Sequence, residues 1–334
     1  VKRALVTGGG GFLGSYICRD LRARGVEVVS LQRGDYPALA AMGVTAVRGD
    51  LADAAAVMRA AEGCDTVFHV AAKAGVWGSY ESYRVANVVG TESVLAACAT
   101  QGVARLIYTS TPSVVHGGDD VAGVDESAPY ASEFLTAYPE TKAEAERMVL
   151  AQHGEKLATV ALRPHLIWGP GDNHLVPRII DRHRAGRLRF VGDGSNVIDG
   201  VYVENAATAH LLAADCLERG GACGGKAYFI TNGEPMPLRD LVNGIVVAAG
   251  LPPVRRTIPP AVAYAVGALL ELIFTLLRRE SEPMMTRFVA KQLSTDHWYD
   301  ISASARDFGY QPAVSTEEGL RRLAEALRGK LPPV

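Results

Sequence analysis

The chain has few cysteines, no surplus of charge of either sign and no low-complexity tract. Its five cysteines (Cys18, Cys64, Cys98, Cys216 and Cys223) are odd in number, scattered and without a CxxC pair. That excludes a disulfide framework and a zinc site of the usual ligand spacing. They read as buried thiols in a reducing cytoplasm. A formal net charge of −2 leaves no global basic surface for nucleic acid or an anionic membrane, so a small-molecule partner is expected. No metal is expected, since His116, His165 and His174 lack ligand spacing. No repeat or long linker interrupts the 334 residues. A strand pattern begins by residue 4, so no signal peptide is expected and the protein is expected in the cytoplasm. The one long apolar stretch, residues 261–277, has only Tyr264, Glu271 and Thr275 as polar groups and ends on Arg278-Arg279. It is too short and too interrupted for a spanning helix. A buried helix of a smaller lobe is the favoured reading, with an apolar lid leaning on a bilayer surface as the alternative.

What is present is alternation. Strand patterns at 4–7, 26–31, 45–47, 66–70, 105–109 and 158–162 are mostly separated by helical patterns at 12–24, 52–62, 83–101 and 139–153. This order predicts an α/β fold, a Rossmann-type doubly wound parallel sheet with right-handed crossovers. A helix at 204–217 and a strand at 227–230 return to that sheet. Residues 1–171, with return segments at about 198–232, are expected to form the dinucleotide domain. Residues 172–197 and 233–334 are expected to form a smaller, mostly helical substrate lobe.

Residues 7–14 read Thr-Gly-Gly-Gly-Gly-Phe-Leu-Gly, between the apolar run Ala4, Leu5, Val6 and an amphipathic helix pattern. A strand, a glycine turn and a helix start in this order predict a dinucleotide-binding turn. Gly8 allows the tight turn, Gly11 removes the side chain where backbone meets a pyrophosphate, and Gly14 lets the helix pack on the sheet. The anion then sits on the free N–H groups of the helix start, where Phe12 and Leu13 complete the turn. An acid at the end of the second strand would bind a ribose 2′-OH. This chain has Gln32 followed by Arg33. A guanidinium suits a 2′-phosphate, so NADP(H) is expected ahead of NAD(H).

Tyr138-Pro139-Glu140-Thr141-Lys142 puts a phenol and an ammonium four residues apart on one face of a helix start. A phenol titrates near ~10 and is a poor acid or base at neutral pH, but a neighbouring cation favours the phenolate. So tuned, it serves as a general acid/base. Strand 105–109 runs into Ser110-Thr111-Pro112-Ser113, hydroxyls at the C-terminal edge of a parallel sheet. A hydroxyl there can hydrogen-bond a carbonyl oxygen as charge develops on it.

In residues 7–14, Asp50-Leu51, residues 69–72, 87–91, 108–113, 138–142 and Arg163-Pro164, the chain resembles the extended short-chain dehydrogenases/reductases. The resemblance covers essentially the whole chain. It implies that Tyr138 is the acid/base, that Lys142 holds the nicotinamide ribose, and that Thr111, ahead of Ser110, orients the carbonyl. It also implies that Asp50 and Leu51 touch adenine, that Ala71 lines the cofactor cleft, and that Pro164 and Ile167 flank the nicotinamide. Asn87 matches a motif asparagine that is either structural or catalytic.

Residues 284–288, 297–300, 306–310 and 315–320 are similar to the 3β-hydroxysteroid and sterol-4α-carboxylate 3-dehydrogenase branch. Residues 72–80, 111–114 and 166–174 resemble a bacterial group that reduces 2-alkyl-3-oxoalkanoic acids during long-chain olefin biosynthesis. The resemblance thus implies an apolar carboxylic acid or sterol-like substrate, and a homodimer formed through helices 83–101 and 139–153. A carboxylate needs a cation, for which Arg178, Arg182, Arg184 and Arg287 are candidates. The alternatives are a hydroxysteroid dehydrogenase and a non-catalytic NADP(H)-sensing regulator. The presence of both Tyr138 and Lys142 speaks against the regulator.

Overall fold

A computed structural model describes residues 1–279 and 281–329. Strands β1 (Arg3–Thr7), β2 (Glu27–Gln32), β3 (Thr45–Arg48), β4 (Thr66–His69), β5 (Arg105–Thr109), β6 (Ala158–Pro164) and β7 (Ala227–Ile230) form one sheet. Their order is β7-β6-β5-β4-β1-β2-β3, and every pair is parallel. The helices used below are α1 (Phe12–Ala23), α2 (Ala54–Ala60), α3 (Gly90–Gln101), α4 (Ala137–Ala151), α5 (Leu175–Arg184), α6 (Val203–Glu218), α7 (Leu238–Ala248) and α8 (Pro260–Leu276).

The strands read as continuous apolar runs because both faces of the sheet are covered. Ala4 and Val6 belong to the core under α1 and α6, whereas Leu5 between them belongs to the core under α2, α3 and α4. Val28 and Val29, and likewise Ile107 and Leu106, divide between the two layers in the same way. From β1 the chain winds outward to β2 and β3, then crosses back to β4 and winds the other way. The crevice at the C-terminal ends of β1 and β4 is therefore the topological switch point, where such sheets bind ligands.

The expected helix at 83–101 begins at Tyr80 and runs to Gln101, with a change of hydrogen-bond pattern inside it. A π-helical turn, Val85–Val89, joins Tyr80–Arg84 to α3 and carries Asn87. Such turns occur often at functional sites. A third core, built from Trp168, Ile179, Phe190, Leu241 and Ile245 among others, holds α5 and α7 together. Phe308 and Tyr310, far along the chain, return to the layer under α1 and α6.

The favoured reading of residues 261–277 as a buried helix is corrected by the structure. Only Ala263 and Gly267 of α8 are buried, while Leu269, Leu272 and Leu276 are 57%, 56% and 73% exposed. The helix docks by one narrow stripe: a Cβ on Gly267 would lie 2.6 Å from the carbonyl carbon of Thr286. A segment apolar on every side gives no periodic signal of which side is covered, so burial had to be read from the packing. Among the described residues no helix is long and apolar enough to cross a membrane.

Candidate active site

The β1–α1 turn is fixed by sterics that only glycine meets. Gly8 takes φ +72°, and its N–H donates to the carbonyl of Leu31 at 2.8 Å. A Cβ on Gly14 would sit 2.2 Å from the carbonyl oxygen of Gly8, so α1 starts directly against the turn. Gly11 caps α1 without a side chain. The first N–H groups of the helix are thus left as donors at its positive end, a fitting cradle for a diphosphate.

Buried hydrogen bonds tie this turn to β4 and to the π turn. Thr7 Oγ1 accepts from the N–H groups of Val70 and Ala71, both at 3.1 Å, so its own proton goes to His69 Nδ1 at 2.9 Å. His69 Nε2–H then donates to Thr91 Oγ1 at 3.0 Å, and the Thr91 hydroxyl donates to the carbonyl of Asn87 at 2.6 Å. Burial holds the His69 imidazole down at about 3, so it is neutral and structural. The Asn87 carboxamide accepts from the Lys73 N–H at 2.7 Å and donates to Thr141 Oγ1 at 3.0 Å. It positions the 73 loop against α4.

The hydroxyl group comes from the end of β5. Thr111 Oγ1 accepts from the Ser113 N–H at 3.2 Å and caps a short 3-10 turn. Ser110 Oγ is buried with no hydrogen-bond partner. Opposite them, α4 begins with Tyr138 in its first turn and presents Lys142 one turn on. Lys142 is 2% exposed; its Nζ donates to the Thr109 carbonyl at 2.7 Å and lies 4.1 Å over the Tyr108 ring.

The electrostatics differ from the simplest expectation of a lysine-lowered phenol. Burial pushes the Tyr138 phenol up to about 12, with the Thr111 hydroxyl pulling the other way. Burial also pushes the Lys142 ammonium down to about 7, opposed by the Glu146 carboxylate one turn further along α4. Desolvation is the largest influence on both groups. Glu146 is itself fully buried, 2.6 Å from Arg163 and accepting a 2.7 Å hydrogen bond from Tyr130.

One cleft of about 1160 Å³ collects these groups. Gly8, Gly11, Phe12, Leu13, Gly14, Arg33, Asp50, Leu51 and Ala71 line one end, and Thr111, Tyr138, Lys142, Pro164 and Ile167 line the other. Arg33 is mostly in solvent, 3.9 Å from Asp50, and Gln32 is turned inward to accept from Ser30. The cradle, the orphaned Ser110 hydroxyl and the volume of the cleft fit a nicotinamide dinucleotide.

The four arginines considered for a substrate carboxylate lie outside this cleft. Arg178 is paired with Glu282 at 2.8 Å, Arg287 with Glu271 at 2.6 Å, and Arg182 donates to the Met284 carbonyl at 3.1 Å. Arg184 is at the surface of α5. The cation missed from sequence is Lys73. It lines the cleft, with Nζ 2.6 Å from Ser82 Oγ and 4.7 Å from the centre of the Tyr83 ring. Nothing in the spacing of Lys73 marks it, because a loop residue has no periodicity to be read.

His165 lines the cleft as a neutral ring, its Nδ1–H donating to the Asp199 carbonyl at 2.8 Å while burial holds it near 3. His174 is at the cleft wall, and His116 lies outside the cleft, against His297. Among the described residues no three His, Cys, Asp or Glu side chains come together as a metal set.

Residues 5–259 match the model of the 3-beta hydroxysteroid dehydrogenase/isomerase family. The 2-alkyl-3-oxoalkanoate reductase of Stenotrophomonas maltophilia is 56% identical, over 96% of this chain and 98% of its own. The decarboxylating sterol-4-alpha-carboxylate 3-dehydrogenase of Mus musculus is 35% identical, over 97% of this chain and 91% of its own. A UDP-glucose 4-epimerase of Thermus thermophilus, solved as a complex with NAD, superposes with a TM-score of 0.74. It is 27% identical and covers 98% of this chain and 100% of its own. The glycine cradle, the Tyr138–Lys142 pair and these full-length likenesses converge: the chain belongs to the 3-beta hydroxysteroid dehydrogenase/isomerase family, within the extended short-chain oxidoreductases.

Proposed function

We propose that this chain uses NADPH to reduce the 3-keto group of a 2-alkyl-3-oxoalkanoic acid to the 2-alkyl-3-hydroxy acid, a step in long-chain olefin biosynthesis. The observation that carries the reading is a phenol, a buried lysine and a strand-end hydroxyl in the same cleft as a glycine cradle. The 56% identical reductase supports the substrate class. The chemistry supplied by a bound nicotinamide is hydride addition to the C3 carbonyl carbon. Tyr138 gives its phenolic proton to the carbonyl oxygen as negative charge develops there. Lys142, one helical turn along α4 and on the same side as Tyr138, supplies a cation that favours the phenolate left behind. Thr111, with Ser110 behind it, fixes the direction of the oxygen by hydrogen bonding.

The test is NADPH consumption with a 2-alkyl-3-oxo acid, run beside NAD⁺ and NADP⁺ reduction with a 3β-hydroxysteroid. Rapid loss with the keto acid alone is expected. Turnover of the steroid alone would transfer the protein to the hydroxysteroid branch, and silence in both would favour a cofactor sensor.

Two residues set the specificity of this reading. Arg33 stands where a 2′-phosphate arrives, and a charge-assisted pair with phosphate contributes about 1.5–3 kcal/mol. Arg33→Ala is therefore expected to raise the KM for NADPH roughly tenfold to hundredfold and to leave that for NADH nearly unchanged. Equal losses for the two cofactors would remove Arg33 from the phosphate site. Lys73 lines the cleft with its ammonium bonded to the Ser82 hydroxyl rather than to a carboxylate. Lys73→Met should raise the KM for the keto acid about tenfold or more while sparing its methyl ester. A parallel loss on acid and ester would argue against a carboxylate contact.

A further inference from the structure

A second cavity of about 650 Å³ lies beneath α8, between its inner side and the segments 76–83 and 134–140. Val76 lines both this cavity and the main cleft, so the two meet at that residue. Its walls are chiefly Trp77, Tyr83, Phe134, Leu135, Ala268 and Leu272. Of the charged lining residues, Glu271 and Arg287 neutralise each other through a 2.6 Å ion pair, and Glu140, exposed in the first turn of α4, is the remaining charge. The roof is pinned at the C-terminal end of α8. Trp77 Nε1 donates to the Arg279 carbonyl at 3.0 Å, its ring meets Phe274 edge-on at 6.1 Å, and the Tyr83 hydroxyl donates to the Trp77 carbonyl at 2.9 Å.

A 2-alkyl-3-oxo acid has three arms at its reacting end: a carboxylate and an alkyl chain on C2, and a second alkyl chain on C3. Two alkyl arms on neighbouring carbons need two separate apolar paths. Tyr83 connects the relevant features, since Lys73 Nζ lies over one side of its ring while the ring walls the second cavity. With the carboxylate at Lys73, the arm on the same carbon is the one that faces the mouth at Val76.

Resting on the function proposed above, we infer that the cavity beneath α8 is the subsite for the C2 alkyl arm, and that its depth sets the length of that arm. Burying a methylene changes affinity about fourfold. For the wild type, kcat/KM is therefore expected to climb about fourfold per added C2 methylene until the cavity is filled. Two substrate series test this, one lengthened only on the C2 arm and one only on the C3 chain. Ala268→Phe, which fills the cavity from its roof, should flatten the C2 series and lower the longest-to-shortest ratio of kcat/KM by at least about thirtyfold. Val76→Phe should do the same from the mouth, and Leu269→Phe on the outward side of α8 should keep the wild-type ratio. Because each readout is a ratio within one variant, partial loss of folded protein cancels. A wild type that reduces these acids while Ala268→Phe and Val76→Phe keep its C2 slope, or alter the C3 slope instead, would overturn the subsite alone. A wild type that reduces none of them would overturn the underlying reading.

Discussion

Tyr138→Phe is expected to lower kcat about a hundredfold to ten-thousandfold, the usual contribution of a positioned general acid. The ring stays in its place at the start of α4, so the cleft and the cofactor cradle keep their shape. The dissociation constant for NADPH, measured by fluorescence titration, should therefore move little. What is lost is the phenolic proton beside the Thr111 hydroxyl. The phenol sits at about 12 through burial, so it holds its proton across the neutral range and gives it up only as charge develops on the substrate oxygen. Preserved turnover with weakened NADPH binding would reverse the assignment and make Tyr138 a cofactor contact.

Glu146→Ala should be the most destabilising single change near the site, by about 3–5 kcal/mol. Glu146 has no exposed surface, and Arg163 is 3% exposed, so truncation leaves a guanidinium in the interior with the Phe229 and Tyr130 rings as its remaining company. At 2–4 °C per kcal/mol the melting temperature should fall by roughly 10 °C. A chemical effect accompanies this one. The Glu146 carboxylate is what holds Lys142 up against burial, at about 7. Without it the ammonium loses its proton at lower pH, so the alkaline loss of activity should shift toward lower pH. An unchanged alkaline limb would detach the Lys142 charge from catalysis, whatever the change in stability.

The pH dependence of stability follows the same lysine. In the unfolded chain Lys142 titrates near 10.5, but near 7 in the fold, so between those values the unfolded state binds more protons. The cost of this buried lysine is therefore complete below about 7 and is relieved as pH rises toward 10.5.

Much of this molecule is legible in its amino-acid sequence. The strands of the sheet were placed to within two residues because each is an apolar run bounded by turn residues, a local signal. The glycines at 8 and 14 were legible because backbone sterics admit no other residue there. The Tyr138–Lys142 spacing was legible because one helical turn brings the two onto one side of α4.

Three things were decided only by tertiary structure. The exposure of α8 depended on what packs against it, and an all-apolar segment carries no record of that. Lys73, rather than any of four arginines, lines the cleft because Asn87 ties its backbone to Thr141 on α4, a contact between residues distant in sequence. The charge state of Lys142 was set by a burial that the sequence pattern does not contain. Local sterics and periodicity fix which elements form and which backbone positions must be glycine. Desolvation and long-range packing, which depend on every neighbour at once, fix how the groups on those elements behave.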